Sequence, residues 1–224
     1  MKKVFIVALL SVMSLELKAQ DTAAVTDYSV TLREVAVLKT DKTKELQLGD
    51  SKKMFFLPEP QTTSWMLGRK FESQGDFRNL KKVIFYAKSA VDSGLCKVQI
   101  FEIGSNGLPS ESLLSEEVLV EVKKGNQKIA IDVSKYNIEL PENGIVVAFE
   151  SLVLEQNKYF LKAFNTHTKE KISVLNYAPH IKYFYDNEKD SYVFSAGKWV
   201  HYSVEYNLDH PKTPIPAIDV IVSN

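Results

Sequence analysis

The chain holds a single cysteine, Cys96, in 224 residues. That excludes an intramolecular disulfide framework and a zinc site built from cysteines. Neither sign of charge is in surplus: 28 Lys and Arg stand against 28 Asp and Glu, so no basic excess argues for nucleic acid. Beyond the first fifteen residues no apolar run approaches the roughly 20 residues that a helix needs to cross a bilayer, so no membrane span is expected. The usual chemical motifs are missing too. His167, His180, His201 and His210 form neither an H-x-x-x-H nor an H-E-x-x-H pattern, which excludes a helical zinc site. There is no G-x-S-x-G elbow and no glycine-rich phosphate loop. Glu116 and Glu117 are adjacent on a surface segment. Glycosidase acids converge from separate strands and leave no local spacing to read. No catalytic residue, metal or cofactor is expected from these patterns. The histidines read as exposed or hydrogen-bonded structural residues.

What is present is the composition of an ordinary globular chain, with 45% hydrophobic and 25% charged residues. Residues 1–19 have the layout of a secretory signal peptide. Lys2 and Lys3 form the basic start, Val4 to Leu15 the apolar stretch, and Leu17-Lys18-Ala19 ends on a small residue before the expected cut at Ala19–Gln20. The apolar stretch of about 12 residues is too short to span a bilayer. Cleavage leaves 25 basic and 27 acidic residues, a balance that favours neither nucleic acid nor an anionic membrane surface. The expected location is secreted, periplasmic or cell envelope. The expected division is a signal peptide at 1–19, an N-terminal strand and polar linker at 20–53, and one β-sandwich domain at 54–224.

Period-two alternation dominates the rest. A short strand is expected within Tyr28 to Lys39, followed by a charged connection over 40–53. Pro58 and Pro60 break any helix there. Further strands are expected at Thr63 to Phe71, Leu80 to Lys88 and Leu95 to Ile103. In the last of these, Cys96, Val98 and Ile100 point one way, and Lys97 and Gln99 the other. Val118 to Lys123 and Lys128 to Val133, joined by Gly125-Asn126, read as a hairpin. The apolar run in Gly144 to Leu154 predicts a strand buried on both faces. Tyr159 to Phe164, Ile181 to Tyr185, Tyr192 to Phe194, Trp199 to Tyr206 and Ala217 to Val222 complete the set. Only Glu111 to Glu121 has room for a helical turn. Short strands with turns every 8–12 residues predict an all-β, antiparallel two-sheet sandwich.

The middle of the chain has a more particular look. Ile100-Phe101 ends a strand, Asn106 to Pro109 forms an NGLP turn, and Leu113-Leu114 follows. Asp132 to Ile138 (DVSKYNI) comes next, and Gly144 to Glu150 ends the set. In these features residues 79–155 resemble an exported β-sandwich module of Bacteroidetes-type envelope proteins, often found after a carboxypeptidase regulatory-like domain. Residues 28–38 resemble the last strand of such a regulatory domain. The pattern departs at Gln127-Lys128 and at Ser151, where the module usually has aromatics. The resemblance implies a jelly-roll-like fold and an envelope setting, and it implies no defined activity or catalytic residues.

Three further features bear on function. Cys96 alternates with Val98 and Ile100, so it reads as a buried, inert thiol. Asp186 to Asp190 is oxygen-rich but lacks the order of a calcium loop and reads as a solvated turn. Aromatics crowd the last third. In Ile181 to Tyr185 one aromatic set is expected to face the core and the other to face water or a partner. Val200 is the expected core residue of its strand, which turns Trp199 and His201 outward. Trp199, His201, Tyr183 and Tyr185 are therefore the candidate ligand contacts. The expectation is a non-catalytic envelope module that binds a glycan or an envelope protein; the alternative is a polysaccharide-acting enzyme on the same fold.

Overall fold

The computed structural model describes residues 43–51, 54–55, 63–165, 169–186, 191–202 and 212–224. The expected signal peptide, the strand expected at 28–39, the proline break, the 187–190 turn, His167, Tyr206 and His210 lie outside them. The strands are β1 (Glu45–Leu48), β2 (Trp65–Phe71), β3 (Asn79–Ile103), β4 (Pro109–Ser112), β5 (Val118–Asp132), β6 (Ile145–Ser151) and β7 (Lys158–Asn165). After these come β8 (Glu170–Tyr177), β9 (His180–Ile181), β10 (Tyr183–Asp186), β11 (Ser191–Ser195), β12 (Lys198–His201), β13 (Thr213–Pro216) and β14 (Ile218–Ser223). Every pairing among them is antiparallel. The fold is the expected all-β antiparallel sandwich.

Two long strands make both layers. β3 runs for 25 residues and pairs with β5 along most of its length, with a break in register between Ser89 and Ser93. On one side of the break, β1, β14, the start of β3 and the end of β5 form the first layer. On the other side, the end of β3 pairs with β6, and β2, β11 and β12 follow in that order to form the second layer. The hairpin expected around Gly125-Asn126 is therefore not a reversal. Gly125 has φ +96° and sits opposite Ser89, so its left-handed backbone takes up the bend while β5 continues along β3. The Glu111 to Glu121 stretch holds no helix, because β4 and the start of β5 both pair with β3. Glu45–Leu48, inside the stretch read as a connection, pairs with β14 as a strand of the first layer.

The core lies between the layers. Val83, Phe85, Ala87, Ile218 and Val220 come from the first layer, and Leu67, Cys96, Val98, Ile100, Val147 and Phe149 from the second. Phe85 and Phe149 meet edge to face at 5.5 Å across the gap. β6 is buried on both faces, as its apolar run predicts. The turn before it closes through Gly144 N–H donating to Pro141 O at 2.9 Å. There a side chain is excluded: Gly144 has φ +83°, and an added Cβ would lie 2.4 Å from the Phe71 carbonyl oxygen. No helix among the described residues is long and apolar enough to cross a membrane.

Candidate functional site

Because strand side chains alternate, β6 needs cover on the face turned away from the core. The register gives the composition of that face. One row runs Lys97, Glu150, Met66, Phe194, Trp199, and the next runs Gln99, Ala148, Gly68, Tyr192, His201. Phe101, Val146 and Lys70 form a third. Trp199 packs edge to face on Phe101 at 5.2 Å and beside Phe194 at 5.3 Å. β3 and β12 lie four strand spacings apart, about 19 Å in a flat sheet. The Phe101–Trp199 contact therefore requires the face to curve into a trough. Gly68 makes room on its floor. An added Cβ there would sit 2.5 Å from Val146 Cγ1 and 3.7 Å from Trp199 Cζ3. The NGLP turn bounds this region, with Leu108 packing on the cluster and Gly107 O accepting from Tyr192 Oη at 3.3 Å.

Polar groups border the aromatics. Gln99 Nε2 donates to Glu150 Oε2 at 3.1 Å, and Lys97 Nζ reaches Glu117 Oε1 at 2.6 Å and Glu150 Oε2 at 3.9 Å. His201 is exposed and its ring leans on Tyr192 at 4.7 Å. An aromatic floor with partly exposed amide, carboxylate, ammonium and imidazole groups on one curved face suits a ligand with both C–H faces and hydroxyls.

The four expected contacts do not all belong here. Trp199 and His201 do share the outer face, as expected. Trp199, however, is partly buried, and Val200, the expected core residue, is 39% exposed. Val200 points to the same side as its partner Val193, which packs on the core, but β12 ends the layer among the described strands, and Val200 is 39% exposed. Tyr183 is only 6% exposed and belongs to the core, while Phe184 on the opposite face is buried with Ile215 and Ala217. Neither aromatic set of that segment is left facing water, because β10 is covered on both sides. Tyr185 is partly buried and stacks on Phe55 at 4.5 Å. These two tyrosines therefore lie in packing rather than with Trp199. Phe101, Phe194, Gln99 and Glu150 lie with Trp199 and His201 on this face, although the sequence alone does not single them out. The alternation at Cys96 already placed Lys97 and Gln99 outward, and the Ile100-Phe101 pair put one side chain on each face.

Several buried polar or titratable groups elsewhere are committed to structure. Arg69 Nη1 donates to Ile218 O at 2.8 Å and faces Asp219 Oδ1 at 3.5 Å, with its guanidinium over the Phe71 and Phe184 rings. Burial raises the Asp219 carboxyl above its usual range, although Ser51 Oγ, at 2.8 Å, and Arg69 favour the ionised form. A cleft of about 220 Å³ opens beside this pair, between Gly49 and Gln74, but the guanidinium at its base is already engaged. His180 Nε2 lies 2.8 Å from Tyr159 Oη, and burial lowers the His180 pKa to about 4. Cys96 is buried, and that burial holds its thiol far above the usual range, which keeps it protonated and unreactive. Among the described residues no three His, Cys, Asp or Glu side chains are grouped as a metal site would need.

No family model matches the chain, and no curated protein matches it. Among the solved structures that show some similarity are two of one protein. The first is a cysteine-to-alanine variant of the clostridial cysteine protease Cwp84 after propeptide cleavage, with TM-score 0.44 and 13% identity, covering 80% of this chain and 40% of that one. The second holds the cysteine protease and lectin-like domains of Cwp84, a surface layer associated protein of Clostridium difficile, with TM-score 0.43 and 16% identity, covering 72% and 32%. This chain thus spans less than half of either. Likeness at this level does not establish a shared activity.

Proposed function

We propose that the protein is an exported, non-catalytic module of the cell envelope and that the trough of the second layer binds a glycan. The observation that carries this reading is Trp199, partly exposed over Gly68 and flanked by Phe101 and Phe194, on the same face as Gln99, Glu150 and His201. A sugar ring packs its C–H face on such an indole while its hydroxyls exchange water for the neighbouring amide and carboxylate. The resemblance of residues 79–155 to an exported envelope module supports the setting, and the layout of residues 1–19 supports export. A panel of envelope and environmental polysaccharides, presented to the purified protein, tests the reading. Binding is expected for at least one of them. Trp199→Ala should abolish it while costing about 1–3 kcal/mol of stability, between the values for exposed and fully buried positions. Glycan binding that survives Trp199→Ala would place the site elsewhere. Mass spectrometry of the exported protein should find Gln20 at its N-terminus.

A further inference from the structure

Among the described residues β7 and β8 pair only with each other, forming a two-stranded sheet separate from both layers. Their register sorts every side chain to one of two faces. Tyr159 and Asn176 lie on the inner face; Tyr159 meets His180, and Asn176 is fully buried, so the base of this face docks the hairpin on the body, while Ile172, farther along the same face, is 39% exposed. On the outer face Phe160 sits opposite Leu175, Lys162 opposite Ser173, and Lys158 and Lys171 lie on either side along their own strands. Phe160 is 64% exposed, the highest value among the large hydrophobics described, and Leu175 is 37% exposed. Lys158, Lys162 and Lys171 are all exposed as well. Glu155 reaches Lys158 at 3.2 Å, whereas Lys162 and Lys171 have no acidic partner among the described residues. Glu170 belongs to the inner face. The balanced charge of the whole chain therefore conceals a local surface that is cationic around an apolar pair.

We propose that this outer face docks on an anionic lipid bilayer. Lysines gather at the surface potential of acidic headgroups, and an exposed phenylalanine–leucine pair gains by entering the boundary between headgroups and acyl chains. The two sides of the chemistry favour lipid over other polyanions. Phenylalanine and leucine carry no polar atom for a sugar or a phosphate chain to satisfy, and their gain comes from leaving water. The lysine heads on the same face supply the charge complementarity that holds the strand plane against the surface.

Co-sedimentation of the full-length mature protein with vesicles tests this. One set is pure phosphatidylcholine, and another carries about a third of phosphatidylglycerol. Binding is expected to the anionic set alone and should weaken as salt rises. Lys162→Gln with Lys171→Gln should weaken it roughly 25-fold, about fivefold for each lysine. Phe160→Ala should weaken it about tenfold, and Leu175→Ala should repeat the effect if the first variant is unstable. Trp199→Ala should leave it unchanged, which separates this face from the glycan trough. Failure to bind anionic vesicles at low salt would overturn the proposal. So would equal binding to both vesicle types, or indifference to the lysine pair. Capture of dextran sulfate unaffected by Phe160→Ala, with no vesicle binding, would make the face a polyanion site instead. Self-association abolished by Phe160→Ala, again without vesicle binding, would make it a contact between copies.

Discussion

Phe85 and Phe160 are both phenylalanines in the middle of antiparallel strands, each facing an aliphatic cross-strand partner, Ile129 and Leu175. Phe85 is 1% exposed and meets Phe149 from the opposite layer, whereas Phe160 is 64% exposed. Local sequence makes both segments strands. What separates them is the number of layers. β3 has a second sheet to pack on, while the outer face of β7 and β8 has none among the described residues. Alternation therefore reports which side chains share a face, and only the tertiary arrangement decides which face is inside.

Removing the ring at each position is the most direct way to break this contrast. Phe85→Ala should cost about 3–5 kcal/mol, because it leaves a cavity between two layers that cannot both collapse into it. Urea unfolding of the purified variant measures this. A loss under about 1 kcal/mol would mean that the layers are not closely packed at Phe85.

Acid should strain the junction between the two regions. His180 is buried beside Tyr159 where the hairpin meets the body, and its pKa falls to about 4 in the folded chain against an ordinary value of 6.5. The folded state thus favours the neutral ring. The stability this carries is complete above pH 6.5 and is lost as pH falls from 6.5 towards 4, where the unfolded chain takes up a proton that the native protein refuses. The difference amounts to about 3 kcal/mol. His180→Gln removes the titration, so its stability should fall less between pH 7 and pH 4 than that of the wild type by about that amount. Parallel pH profiles would remove His180 from the account of acid sensitivity.

A smaller effect is expected at Cys96, where the lost atom is one sulfur. Cys96→Ala should fold and cost about 1 kcal/mol. A thiol reagent should label the native protein slowly and the denatured protein quickly, since burial keeps the thiol protonated and out of reach. Rapid native labelling would show that β3 opens readily from β5 and β6.

The sequence was most legible where a strand lies inside one layer and least where distant segments decide. Cys96, Val98 and Ile100 turn inward as their alternation indicates, and the apolar run of β6 is covered on both faces. The bend of β3 and β5 was hidden, since Gly125 can serve a reversal or a kink and only its position opposite Ser89 tells which. Trp199 lies on the outer face, as alternation indicates, but the trough around it depends on Gly68 and Phe101, far away in the chain. The exposure of Val200 is not legible in its hydrophobicity, because it depends on β12 being the last strand of its layer among the described residues. The cationic hairpin face was invisible to net charge, which sums over the whole chain what β7 and β8 divide between two faces.

The smallest change is expected at Phe160. Phe160→Ala removes a ring that already faces water, so no cavity forms and little apolar area returns to solvent. What remains to lose is the cross-strand pairing with Leu175, a contact of about 0.2–1 kcal/mol that is partly solvated here. A two-stranded hairpin has little stability of its own, so this loss should loosen β7 and β8 without reaching the sandwich. Global urea unfolding should therefore change by about 0.5 kcal/mol or less. Amide exchange should speed up within 158–177 and stay unchanged in β3 and β6. A global loss approaching that of Phe85→Ala would show that the outer face of the hairpin is covered in solution, and the contrast between the two phenylalanines would disappear.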